Sequence, residues 1–185
     1  MSPLTAGPTC CRAAMPPQGD ETGRRGIREM DKTTETFLLQ QLKRHRVMTL
    51  ATARPDGYPQ ATIVAFANDR LTLFVAVDSN SQKARNIRRN PKVSVAIGSD
   101  RRDWSKITGL SMAGQARVLR KTDEIALAKS RLLARFPDMK KLGEADDFKG
   151  WAFIEVVPLV ISALDYTKGF GHTELIKLSS ARKRR

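Results

Sequence analysis

Two β-like runs, Leu71–Val77 and Lys92–Ile97, are joined by Asp78-Ser79-Asn80-Ser81-Gln82-Lys83-Ala84-Arg85-Asn86-Ile87-Arg88-Arg89-Asn90-Pro91. No other stretch restricts the fold as tightly. A strand empties into small hydroxyl residues, which open a short helix over residues 80–89. Asn90-Pro91 then stops the helix just before the next strand. The free N–H groups and positive dipole end of a helix N-terminus favour an anion. Serine hydroxyls and Lys83 add to that preference, and a phosphate group suits such a corner. The local pattern also admits a plainer reading, in which Ser79 or Ser81 is only an N-cap and Lys83 a solvated lysine. Most serine-led helix starts are caps and nothing more, so the local pattern by itself favours the plainer one.

The flanking segments predict a mainly antiparallel β domain of the α+β class. Phe37, Leu38 and Leu42 recur at helical spacing within 33–45, with Thr33 or Thr34 as candidate caps. Residues 46–53 and 58–67 read as strands around the turn Arg54-Pro55-Asp56-Gly57. With 71–77 they form three consecutive, closely linked strands, expected to pair antiparallel. Further strands are predicted at 92–97, 108–119, 151–164 (interrupted by Pro158) and 172–178. A helix over 122–136 has Thr122 as its cap, Ile125, Leu127, Ala128, Leu132, Leu133 and Phe136 as its apolar stripe, and Pro137 as its stop. Six or seven strands with only about three helices favour a closed or nearly closed barrel, which leaves few exposed edges. No glycine-rich fingerprint follows a strand, which excludes a doubly wound dinucleotide fold.

A chain of 185 residues suits one domain with a real core. Residues 1–30 are rich in Pro and Gly and read as a probe of nothing periodic, hence as a disordered leader, with Met30 a candidate start; residues 179–185 form a basic tail. Neither a secretory signal nor a run of apolar residues long enough to span a membrane is visible, and a cytoplasmic location is expected. The only cysteines, Cys10 and Cys11, are adjacent and fit a reducing compartment better than a disulfide framework. The net charge of +14 raises the possibility of a nucleic-acid partner. Few aromatics interleave with the basic residues, so a solvated surface and basic tail is the favoured reading. The segment 83–106 carries eight Lys or Arg against two Asp, a field that would also attract a phosphorylated ligand.

Hydrolytic and metal constellations are missing from the sequence. His45 and His172 are the only histidines, and neither has a partner at zinc-ligand spacing. His45 reads as a solvated or helix-capping residue and His172 as a turn residue. A bound cofactor would explain this poverty of titratable groups, because it carries the electron chemistry itself.

Five blocks in order carry a resemblance to a known family. They are Val47-Met48-Thr49-Leu50-Ala51-Thr52-Ala53-Arg54-Pro55-Asp56-Gly57-Tyr58-Pro59-Gln60-Ala61-Thr62, the Ser81/Lys83 stretch ending at Asn90-Pro91, and Gly109-Leu110-Ser111-Met112-Ala113-Gly114-Gln115-Ala116-Arg117-Val118. Trp151-Ala152-Phe153-Ile154-Glu155-Val156-Val157-Pro158 and Asp165-Tyr166-Thr167-Lys168-Gly169-Phe170-Gly171-His172 complete the set. From near Thr34 to about Leu178 the chain resembles the FMN-binding split-barrel family named after pyridoxamine 5′-phosphate oxidase. The resemblance implies a six- to seven-stranded split β-barrel with about three flanking helices over residues 31–178. It implies a homodimer with FMN in the cleft between subunits. Lys83 would hold the FMN phosphate, aided by Ser81. Gln82 stands where many members are basic, and no arginine stands near Ala61 or Thr62, which shifts charge neutralisation onto Lys83 and Arg85. The backbone of Ala61, Thr62, Ile63 and Val64 would face the ring and ribityl chain, and Ala76 and Val77 would contact the cofactor from a strand end. Trp104 and Lys106 would reach the partner subunit's flavin. The ending Ser179-Ser180-Ala181-Arg182-Lys183-Arg184-Arg185 lacks the family oxidases' Arg-Leu-x-Pro-like pattern, so vitamin B6 synthesis is not expected. The implied activity is an oxidoreductase of unassigned substrate. The deazaflavin F420 as cofactor, or non-enzymatic flavin or haem binding, are the alternatives on the same fold.

Overall fold

The structure is a computed structural model that describes residues 27–28, 30–98, 101–143 and 147–178. Its elements are β1 (Ile27–Arg28), α1 (Lys32–Arg44), β2 (Val47–Ala53), β3 (Pro59–Ala65), β4 (Ala67–Asp69), β5 (Thr72–Asp78) and α2 (Gln82–Arg89). They continue with β6 (Lys92–Gly98), β7 (Thr108–Val118), α3 (Thr122–Arg135), α4 (Met139–Gly143), β8 (Trp151–Asp165) and β9 (Thr173–Lys177). Single 3-10 turns form at Trp104–Lys106 and Tyr166–Lys168. The fold is an α+β split barrel. Two of its strands, β1 and β4, are only two and three residues long, so seven strands carry the sheet. The short β1 pairs in parallel with β9 and precedes Met30, while residues 1–26 and 29 of the expected leader and the basic tail lie outside the described residues.

Antiparallel pairing runs β9-β8-β7-β6-β2-β3. The predicted hairpin of β2 and β3 forms, with Met48 opposite Val64 and Ala51 opposite Ala61. The third strand departs from the expected meander. The chain turns at the buried Phe66, β4 pairs with β5, and β5 joins β8 instead of β3. The composition of β5 explains this. Leu73 and Val75 enter the barrel core while Phe74 enters a second cluster on the other face. A strand apolar on both faces must be covered on both, and the outer cover is α3, through Ala128 and Leu132. On the barrel side, α1 contributes Leu38 and Leu42.

Other local expectations shift slightly. Asp31, not Thr33 or Thr34, caps α1 by accepting from the Thr34 N–H at 2.7 Å. Thr122 is the first residue of α3, whose N-cap position is Lys121 with no side-chain cap bond. Instead the end of α3 near Glu124 is fastened by Arg117, which donates two bonds to the Glu124 carboxylate at 2.8 and 3.0 Å and one to Glu155 at 2.7 Å. That guanidinium holds the Glu124 carboxyl below its ordinary range. At the other end Arg135 donates to the carbonyls of Leu42, Lys43 and His45, satisfying the exposed C-terminus of α1.

Pro158 does not interrupt β8. It lies between the half paired with β5 (Trp151–Val156) and the half paired with β9 (Val160–Leu164), where no ladder donor is required. On the opposite edge the register with β7 shifts at Ala113/Gly114, so Gly114 faces Pro158. A Cβ on Gly114 would stand 2.6 Å from the Val157 carbonyl oxygen, which is backbone and cannot swing aside. Gly114→Ala is therefore expected to destabilise the fold by roughly 1–3 kcal/mol, the usual cost of overpacking. Urea unfolding of the two proteins checks this, with a lower midpoint expected for the variant.

Candidate cofactor-binding site

The helix α2 opens at Ser81, whose hydroxyl accepts from the Ala84 N–H at 3.4 Å. Upstream, Asp78 folds the turn: its carboxylate accepts from the Asn80 N–H at 2.6 Å and its carbonyl from the Ser81 N–H at 3.0 Å. The first-turn N–H groups of Gln82 and Lys83 have no intrahelical acceptor. The charges around this end invert the usual pattern. Both α1 and α3 carry acidic residues in their first turn, whereas α2 has none and places Lys83 there. Lys83 is half-buried, and no carboxylate pairs with it among the described residues. Arg85 reaches back over the same turn, donating to Asn80 O at 2.5 Å and to Gln82 Oε1 at 2.8 Å, and Arg88 donates to Ser79 O at 2.9 Å. Three cations thus surround a helix start whose own dipole is positive, an arrangement that an anion stabilises.

Sequence reasoning passed over the polar group beneath this corner. Asn86 is 1% exposed. Its Nδ2 donates to Thr52 Oγ1 at 2.9 Å and to Gln60 Oε1 at 3.2 Å, and its Oδ1 accepts from Gln82 Nε2 at 2.8 Å. The available signal was spacing: Asn86 and the apolar Ile87 stand three and four residues after Lys83, on one stripe of a helix otherwise rich in charge. Gln82 is engaged at both ends of its amide, by Asn86 and by Arg85.

The other expected residues fall into three groups. Ala76 and Val77 line an open cleft of ≈ 390 Å³ together with Asp78, Lys149, Gly150 and Trp151, beside the Ser79–Ser81 turn. On β3, Ala61 and Ile63 point out of the barrel, and Ile63 is 75% exposed. Thr62 and Val64 point inward; Thr62 Oγ1 is the one buried side-chain N or O atom without a hydrogen-bond partner among the described residues. Trp104 and Lys106 are not brought to this corner. They follow the far end of β6, whose seven residues span roughly 20 Å from α2. Trp104 stacks on Phe170 with ring centres 6.3 Å apart, and Lys106 pairs with Asp103 at 3.1 Å. Neither histidine lies in the corner's network: His45 Nδ1 meets Gln41 O at 2.8 Å at the end of α1, and His172 Nε2 meets Glu174 at 3.1 Å.

Residues 34–161 match the family model described as pyridoxamine 5′-phosphate oxidase. The chain belongs to this family. General stress protein 26 of Bacillus subtilis is 30% identical over 81 residues, which span 44% of this chain and 56% of that protein. Among solved structures, a heme-binding protein from Mycobacterium smegmatis superposes with a TM-score of 0.61 at 22% identity, covering 71% of this chain and 52% of its own. An FAD-binding protein from Mesorhizobium loti superposes at 0.57 and 16% identity, covering 69% of this chain and 90% of its own. At these identities the likeness is one of fold. Among the described residues, no helix is long and apolar enough to cross a membrane, and no cluster of His, Cys, Asp or Glu could hold a metal ion.

Proposed function

We propose that the chain is an FMN-binding oxidoreductase of the pyridoxamine 5′-phosphate oxidase family, acting as a homodimer on an unassigned substrate. The observation that carries this reading is the half-buried Lys83, with no carboxylate partner among the described residues, in the first turn of a helix free of acidic residues. The residues fit the group: Lys83 and the α2 N–H groups would hold its phosphate, and Ala61 and Ile63 leave the outward side of β3 open to its ring. When bound, a flavin ring supplies hydride acceptance and donation. The protein's share is placement, for which orientation matters more than a titratable side chain.

The sheet's outer face supports the dimer. Ala61, Ala51, Ser94, Ala113 and Val160 form one cross-strand row, and Ile63, Thr49, Ala96, Ser111 and Ser162 the next. Across these five strands neither row holds a charge, and the first meets one only at the β9 edge, in Lys177, in a chain of net charge +14. A second copy would cover this face by two-fold symmetry. It would also explain how Trp104 and Lys106, distant from their own α2, meet a flavin in the partner's corner.

The test is to purify the protein, release its cofactor by denaturation and identify it by mass. FMN is the expected product. F420, haem or no cofactor, even after incubation with FMN, overturns the assignment.

A further inference from the structure

We propose that Asn86 is a positioning residue for the phosphate corner, a role that rests on the FMN-binding reading above. Its network has a fixed polarity. The Arg85 guanidinium can only donate, so Gln82 must turn its Oε1 toward it. Gln82 Nε2 then faces Asn86 Oδ1, and Asn86 Nδ2 faces Thr52 Oγ1 and Gln60 Oε1. One continuous relay therefore runs from the rim guanidinium, through the buried amide, to the β2–β3 hairpin.

The apolar contacts of α2 cannot do the same. Ala84 and Ile87 bury the helix against the barrel, but apolar burial is non-directional and leaves the helix free to slide or roll slightly. Directional hydrogen bonds in a buried setting set rotation and height. Lys83 and Asn86 stand on one stripe, three residues apart, so fixing Asn86 aims the Lys83 ammonium. The same bonds hold Arg85 over the helix start. Without Asn86 the cations remain on the helix, but their spacing around a phosphate is lost.

The experiment compares the dissociation constants of FMN and riboflavin, which differ by the phosphate, for wild type, Asn86→Ala, Thr52→Val and the double variant. Fluorescence quenching reads binding, and circular dichroism melting confirms folding. Wild type is expected to prefer FMN. Asn86→Ala should weaken FMN about tenfold while leaving riboflavin within about twofold. Thr52→Val removes one acceptor of the network and should shift FMN in the same direction by less. The double variant should lose no more than Asn86→Ala, because the two act through one network. An unchanged FMN-to-riboflavin ratio in folded Asn86→Ala overturns the proposal and leaves FMN binding standing. If Asn86→Ala does not fold, the ratio in Thr52→Val decides in the same way. A wild type that binds neither flavin overturns both the positioning role and the function it rests on.

Discussion

Replacing Lys83 by alanine is expected to weaken FMN binding roughly tenfold to more than a hundredfold, the equivalent of the 1.5–3 kcal/mol that a charge-assisted bond contributes. The magnitude follows from where the lysine stands. Its ammonium faces no carboxylate among the described residues, so a phosphate would be its first strong partner and removal leaves no old ion pair broken. Its half-burial screens the contact less than full exposure would. Lys92, exposed at the start of β6, is the control for general electrostatics. Titration of FMN into the apoproteins should show a loss for Lys83→Ala and a change within about twofold for Lys92→Ala. Equal affinity in all three proteins removes Lys83 from the site.

The second large effect is expected at Ala96. This residue lies on β6, the middle strand of the five that form the uncharged outer face, between Thr49 and Ser111. In a two-fold dimer Ala96→Glu would bring in two carboxylates and strip each of water. An uncompensated buried charge costs several kcal/mol, on the order of a hundredfold or more in the dimer dissociation constant. A lasting interface buries more than ~1,000 Å² in total, and this face offers two uncharged rows across five strands. Light scattering should find a dimer for wild type and a monomer for Ala96→Glu at the same concentration, with FMN lost in parallel because in the proposed dimer each subunit would complete the other's site. A variant that stays dimeric, or a monomer that keeps FMN, defeats the shared-site arrangement. The single substitution leaves the barrel core untouched, since Ala96 points away from it.

Much of the fold was legible because alternation is local. The alternation of Val93, Val95 and Ile97 in β6 and of Leu110, Met112 and Ala116 in β7 is the burial pattern of those strands. Ser81 was legible as a cap for the same reason, its partner lying three residues away. What could not be read was long-range. Nothing near residues 72–78 states that β5 leaves the meander for β8, although its run of apolar residues on both faces required two covers. Asn86 looked like one more polar residue in a charged helix, because its acceptors, Thr52 and Gln60, come from another hairpin. The cap of α1 was displaced by two or three residues because aspartate competes well with threonine for that position. Trp104 and Lys106 were grouped with the site by resemblance, and the geometry of one protomer sets them at the other end of β6.

The attachment of β5 to β8 bears on when the molecule matures. The residue opposite Asp78 is Trp151, more than seventy positions later. While the ribosome is still making that stretch, β5 has only the three-residue β4 beside it. The turn that leads into α2 hangs from the end of β5, and Ser79 is tied by its N–H to Gly150 O at 2.8 Å. The phosphate corner therefore cannot take its final shape until the start of β8 has emerged. On the proposed function, cofactor capture would belong to the last stage of synthesis or after it, and a nascent chain halted before Trp151 should carry α2 in sequence but hold no flavin.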